Sequence, residues 1–344
     1  MSSNDINQGK RILWIDNVRA VACVLVVLLH VSAYYLYKFK QIDMFTWNVA
    51  NFIDAATRVC VPLFFMISGY IFMRNKEMKF KNISKIISCT IFYSIVSLLY
   101  LLVFKSMSIS GLGFQGVFIK YLKTPAFYHL WFFYTIIVCY FFFALISVKN
   151  VSIFNAIVFA SILFIFFNGR TSSYTNMLFG FGYYGMSVIT NTIPFFILYS
   201  ALGAIIGIAN TDRIKNKMLL TVFFLSTMCT AYLTHLISVK NNSLNTEFYA
   251  YETFLVMWAS VSLFIFIKNF KSDVLVFGRF TKYIASASLP IYGLHALTLD
   301  YINAKGWRFD SIFIDIPLTF FIIFFSSLSI GVLITKFDKK GLFS

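Results

Sequence analysis

Three residues within one apolar stretch carry the most suggestive chemistry in this chain. Trp14 to Tyr37 reads WIDNVRAVACVLVVLLHVSAYYLY and contains Asp16, Arg19 and His30. At 100° per residue, the spacing from Arg19 to His30 leaves them about 20° from eclipsed and about 16 Å apart along a helix. Asp16, three positions before Arg19, falls on the same stripe. Ionisable groups inside a bilayer are costly and face a bundle interior or a water-filled cavity. A neutral imidazole takes a proton from a hydroxyl and returns it to a leaving group, and a guanidinium grips phosphate bidentately. A cation at one end of a slot and a titratable nitrogen at the other fit a long ligand. His30 also reads as a helix-end histidine bonded to a carbonyl, and Asp16 with Arg19 as an i, i+3 pair. The shared stripe favours chemistry for His30 and leaves the role of the pair open.

Other polar groups are sparser. NVANFIDAATRVCVPLFFMISGYIFM places Asp54 and Arg58 at i, i+4, the spacing of a salt bridge that an intramembrane arginine needs. Pro62 should break the ladder one turn later, and Ser68-Gly69 should let helices approach closely. Lys79, Lys81 and Lys85 precede the third apolar stretch. With Lys10 and Arg11 they form either a phosphate-binding mouth or an ordinary topogenic flank. His129, Trp131 and Tyr134 open the fourth stretch as an aromatic belt or as groups supporting a site. Glu252 and His295 are further candidates for orienting an imidazole or binding a sugar hydroxyl. The four histidines lack H-x3-H or HExxH spacing, so no metal site is expected. No Gly-x-Ser-x-Gly and no phosphate loop occurs.

Composition sets the class to which these residues belong. The chain is 59% apolar and 20% aromatic with only 12% charged residues, including 43 phenylalanines in 344 residues. Soluble domains carry about 25% charge, so this is a polytopic membrane protein. The net charge of +16 is dispersed among short loops, which argues against nucleic acid and for anionic lipid headgroups. The five cysteines lie in apolar stretches without ligand spacing and read as small core residues.

Ten apolar stretches of spanning length are expected near 14–37, 47–73, 86–104, 129–148, 151–168, 191–209, 218–238, 250–267, 284–302 and 313–335. The fold class is therefore all-α with about ten transmembrane helices. Lys and Arg favour one set of alternating loops by about two to one, placing both termini in the cytoplasm. That orientation puts all four histidines in the outer half of the membrane and Arg19 nearer the cytoplasm. The first helix is expected to be uncleaved. Residues 1–344 are expected to form one membrane domain with no attached soluble domain. The loop GRTSSYTNMLFGFGYYGMSVIT offers Tyr174, Tyr183 and Tyr184 as interfacial anchors or sugar-stacking rings.

Taken in order, IDNVRAVACVLVVLLH, RVCVPLFFMISGYIF, YHLWFFYTIIVCYF and SASLPIYGLHAL resemble the type-3 acyltransferase family of membrane O-acyltransferases. The resemblance implies an acyl-CoA donor in the cytoplasm, first acetyl-CoA and second a succinyl donor. It implies an acceptor hydroxyl on a cell-surface glycan or lipid-linked saccharide and residence in a bacterial-type cytoplasmic (inner) membrane. It makes His30 the catalytic histidine and Arg19 the motif arginine that assists the donor, with Asp16 beside it. Arg58, Lys81 and Lys85 join donor binding. His129, Trp131, Tyr134, Glu252 and His295 support the acceptor side. Lys81 and Lys85 stand where relatives often carry arginines, so point charges replace bidentate forks. The competing reading is a lipid-linked-sugar transporter or flippase, which should show repeats about a midplane site; the sequence has none.

Overall fold

The structure is a computed structural model and describes residues 12–75, 80–105, 116, 120–121, 124–148, 151–169, 191–270, 275–338 and 340–343. Lys10, Arg11, Lys79 and the tyrosine-rich loop around Tyr174, Tyr183 and Tyr184 lie outside them. In chain order the helices are α1 (Leu13–Leu36), α2 (Met44–Thr57), α3 (Cys60–Gly69), α4 (Phe80–Phe104), α5 (Trp131–Leu145) and α6 (Ile153–Phe166). They continue with α7 (Ile193–Ile208), α8 (Asn216–Lys240), α9 (Phe254–Lys268), α10 (Phe280–Ser286), α11 (Ser288–Ala304) and α12 (Ile312–Phe337). The protein is an all-α polytopic membrane protein.

All ten expected stretches hold helix. Among the described residues, seven helical segments are long and apolar enough to cross a bilayer unaided, including Leu13–Leu36, Met44–Met73 and Ile312–Phe337. Ile153–Phe166 and Ile193–Ile208 are shorter. The span expected over 284–302 is instead two helices that meet at Ala287.

Local chemistry explains the boundaries. The Asp43 carboxylate accepts the Thr46 backbone N–H at 2.9 Å and starts α2, while Ser152 does the same for α6 through Asn155. The break between α2 and α3 falls at Arg58 and Val59, four and three residues before Pro62. A proline ring clashes with the carbonyl four residues back and donates nothing to it. After α3 the chain widens into a π-helical turn, Tyr70–Asn75. Beyond it, the Met73 carbonyl accepts the Val148 N–H at 3.2 Å.

The chain folds as two compact units. One comprises residues 1–77 and 143–281, the other 78–142 and 282–344. In the first unit α1 packs against α2, α3 and α9, while α7 packs against α3. The last of these contacts is made backbone to backbone: a Cβ on Gly69 would lie 1.8 Å from the Ser200 carbonyl oxygen, and one on Gly203 would lie 2.0 Å from that of Met66. This is the small-residue packing of membrane helices, where close approach replaces the missing hydrophobic drive. In the second unit α11 packs against α12 and α4, with Gly293 beneath the Tyr93 ring.

Four of the five cysteines are buried as expected, while Cys229 faces outward from α8. Replacing Gly203 with leucine puts a side chain where the α3 backbone runs. Gly203→Leu should cost at least about 1–3 kcal/mol, read as early thermal unfolding or loss of the monodisperse peak in detergent. Gly278→Ala meets no neighbouring atom but sits at a left-handed φ of 57°, so it should cost only the backbone strain, about 1–2 kcal/mol, and leave that peak in place.

Candidate functional site

Helix α1 runs unbroken through Asp16, Arg19 and His30, so the spacing read from sequence holds as a helical stripe. Asp16 is buried, and Arg19 and His30 are half-buried, although all three lie on an apolar helix.

The depth of each group follows from how α1 lies against α2 and α3, which continue one another as a single broken helix over Met44–Met73. At one end the Trp47 indole donates to the Leu36 carbonyl at 2.9 Å. At the other end the Trp14 and Tyr70 rings stand 4.9 Å apart. Between them Cys23 lies in the electrostatic neighbourhood of both Arg19 and Cys60. These three contacts share one antiparallel register, which sets His30 level with Asp54 and Arg19 level with Phe64 and Phe65. The imidazole and the buried acid of α2 therefore occupy the same depth. The guanidinium of Arg19 lies about 16 Å further along the axis.

Asp54 is fully buried. Its Oδ1 accepts from Arg58 Nε at 2.7 Å and also from Nη2. Its Oδ2 is buried without a hydrogen-bond partner among the described residues. Arg58 lies over the Tyr249 ring, 4.6 Å from its centroid, a cation–π arrangement that strengthens when water is excluded. The Tyr249 hydroxyl donates to Asn51 Oδ1, and Asn51 Nδ2 donates to the Ala231 carbonyl of α8 at 2.9 Å.

Residues 249–253 run irregularly before α9, and such backbone survives at membrane depth only when protein groups satisfy it. Tyr199 donates to the Tyr251 carbonyl at 2.7 Å and Asn168 to that of Glu252 at 2.8 Å. Glu252 itself is buried. The first unit thus gathers Asp54, Arg58, Tyr249 and Tyr251 about the middle of the Met44–Met73 span, at the depth of His30, with Glu252 on the same segment as the tyrosines. His235 is a structural tie, its Nδ1 bonded to Asn48 Oδ1 at 2.8 Å.

The second unit holds the other candidates. His129 and His295 are fully buried with ring centroids 5.2 Å apart. His129 Nε2 lies 3.1 Å from the Gly293 carbonyl. His295 Nδ1 lies 2.8 Å from the Tyr292 carbonyl and 3.1 Å from that of Ile291. Carbonyls only accept, so these contacts assign the protons to Nε2 of His129 and Nδ1 of His295. The lone pairs then sit on His129 Nδ1 and His295 Nε2. Tyr292 braces the pair by donating its hydroxyl to the His129 carbonyl.

Tyr134 donates to the Tyr121 carbonyl at 2.8 Å, and half-buried Trp131 packs on Phe132. Lys81 is exposed. Lys85 is half-buried beside Gly341. Sequence reasoning passed over Asn51, Tyr249, Tyr251 and Tyr292. Their only signal was a polar atom or phenol within a long apolar run.

Residues 12–336 match the model of an acyltransferase-domain family. The match takes in both units, and the chain belongs to that family: it is a multi-pass membrane acyltransferase. No curated protein and no solved structure matches it.

Removing one partner of a buried ion pair leaves the other charge uncompensated, at about 3–5 kcal/mol. Arg58 keeps some exposure, so Asp54→Leu should cost nearer the lower figure. The double variant Asp54→Leu, Arg58→Met should recover most of it. Thermal unfolding of the three purified proteins in one detergent checks this.

Proposed function

We propose that this protein is an O-acyltransferase. It takes an acyl group, acetyl before succinyl, from cytoplasmic acyl-CoA and places it on a hydroxyl of a cell-surface or lipid-linked glycan. The observation that carries the reading is the unbroken α1 stripe, with Arg19 about 16 Å from a His30 that stands level with Asp54. The gap suits the pantetheine arm of a coenzyme. Family membership supplies the reaction class.

In this reading Arg19 grips the phosphate end of the donor, Asp16 orients Arg19, and Lys81 and Lys85 add positive charge. The thioester reaches His30. The acceptor oxygen attacks the thioester carbonyl while the His30 imidazole takes the hydroxyl proton. The tetrahedral intermediate collapses, the C–S bond breaks, and the imidazolium returns the proton to the departing thiolate. In the alternative course the His30 imidazole attacks the thioester carbonyl, the C–S bond breaks and the thiolate leaves to be protonated. The acceptor hydroxyl then attacks the acyl-histidine, breaking its C–N bond and giving up its proton to the freed imidazole.

Arg58 pairs with Asp54 at the depth of His30, and in this reading the second oxygen of Asp54 accepts a hydrogen bond from a hydroxyl. Glu252 adds a second buried carboxyl on the same unit. His129, His295, Trp131 and Tyr134 serve the acceptor side, where two imidazole lone pairs accept hydrogen bonds and aromatic rings offer sugar-stacking faces. We read residues 1–344 as one membrane domain of a bacterial-type inner membrane, with both termini in the cytoplasm under the positive-inside rule.

The test uses membranes incubated with radiolabelled acetyl-CoA and candidate glycans. His30→Ala should lower label transfer by at least about 100-fold. Arg19→Gln should raise the donor KM by about 10–100-fold, the worth of one charge-assisted hydrogen bond, with a smaller effect on kcat. Transfer unchanged in His30→Ala defeats the role given to that residue. Glycan movement without any donor-dependent label identifies a transporter.

A further inference from the structure

A groove in the second unit lies outside the proposed reaction path. It encloses about 570 Å³ between α4 and α12, with Phe92 on one wall and Ile330, Leu333 and Phe337 on the other. This volume falls within the range of small-molecule sites, about 300–1,000 Å³. Its end wall is Leu342 and Phe343, brought there by a hook in the chain after α12.

The hook is built from specific contacts. Asp338 accepts the Leu342 N–H on Oδ1 at 2.9 Å and the Phe343 N–H on Oδ2 at 2.6 Å. Gly341 takes a left-handed φ of 60° to make the turn. Cys89 donates to the Leu342 carbonyl at 3.2 Å and Tyr93 to that of Phe343 at 2.9 Å, while Phe343 stacks on Phe92 at 4.7 Å. Both carboxylate oxygens of Asp338 are thus engaged by the hook.

The charges around this end of the groove are lysines. Lys340 is exposed and lines the groove; Lys336 is exposed in the last turn of α12; Lys85 stands beside Gly341. Apolar walls end where the spanning helix ends, and cations begin there. Free phosphate has no use for the walls, and a zwitterionic lipid has little use for three lysines.

We propose that this groove is a site for an anionic phospholipid, with an acyl chain along Ile330, Leu333 and Phe337 and the phosphate among Lys85, Lys336 and Lys340. The bound chain packs against Phe343 and so holds the hook onto α4. Each basic residue near a headgroup strengthens anionic lipid binding by about fivefold. The proposal shares only Lys85 with the donor side proposed above, and its test varies Lys340 and Leu333, which that reading does not use.

Native mass spectrometry of the full chain, exchanged in detergent with equal phosphatidylglycerol and phosphatidylcholine, tests it. Wild type should retain phosphatidylglycerol by at least about tenfold. Lys340→Gln, a surface change, should reduce that preference by about fivefold, and Leu333→Trp, which fills the groove, should abolish retention of both lipids. Equal retention of the two lipids by wild type overturns the proposal. So does a preference that Lys340→Gln leaves untouched, or displacement of the lipid by inorganic phosphate alone. Should Leu333→Trp fail to elute as folded protein, Lys340→Gln remains decisive.

Discussion

A carboxylate and a guanidinium one helical turn apart set the terms for the first unit. Neither charge is tolerable alone in a medium of low dielectric, and their mutual attraction there only offsets the cost of leaving water. Asp54 is closed to solvent and Arg58 nearly so, so surrounding groups must complete their coordination. The Tyr249 ring does this for the cation. Asn51 fixes Tyr249 and ties α2 to α8. Pro62 interrupts the helical ladder at Arg58, so α2 and α3 continue one another across a break at the cation. One ion pair thereby dictates where α2, α8 and the segment before α9 must lie, and it does so at the depth of His30.

The second unit meets the same dielectric problem with imidazoles. Its two buried histidines each donate a ring N–H to backbone carbonyl oxygen, which fixes the orientation of both rings. The carbonyls are those of Gly293 for His129 and of Ile291 and Tyr292 for His295, all within α11, where a carbonyl oxygen's second lone pair remains open to a side-chain donor. Gly293 brings this backbone against Tyr93. The outcome is a pair of ring nitrogens with defined lone pairs inside an aromatic shell of Phe127, Phe132 and Tyr292.

Much of this was legible in the residues. Apolar run length located the ten stretches that hold helix, because spanning a bilayer leaves few alternatives. The i, i+4 spacing identified the Asp54–Arg58 pair, and Ser68-Gly69 marked a close helix contact. What sequence could not supply was register. That His30 faces the level of Asp54 depends on Trp47 meeting Leu36 and Trp14 meeting Tyr70, contacts between residues that pattern alone treats as generic aromatics. Division of the ninth stretch at Ala287 escaped for a related reason, since the apolar run continues through it. The tautomers of His129 and His295 depend on which carbonyls lie within reach, a matter of tertiary placement. Tyr249 and Tyr251 carried no signal in the sequence beyond their phenols, and their part is visible only once Arg58 lies beside them.

Where α3 and α7 touch, main chain meets main chain. Most helix interfaces yield by small changes of side-chain rotamer; this one has no side chains between its nearest points and hence no lubricant. Sliding or rolling would drive peptide groups into one another, so the two helices travel as a single strut. Any breathing that admits a substrate to the first unit must take place on other sides of α1, and the strut gives that motion a fixed bearing.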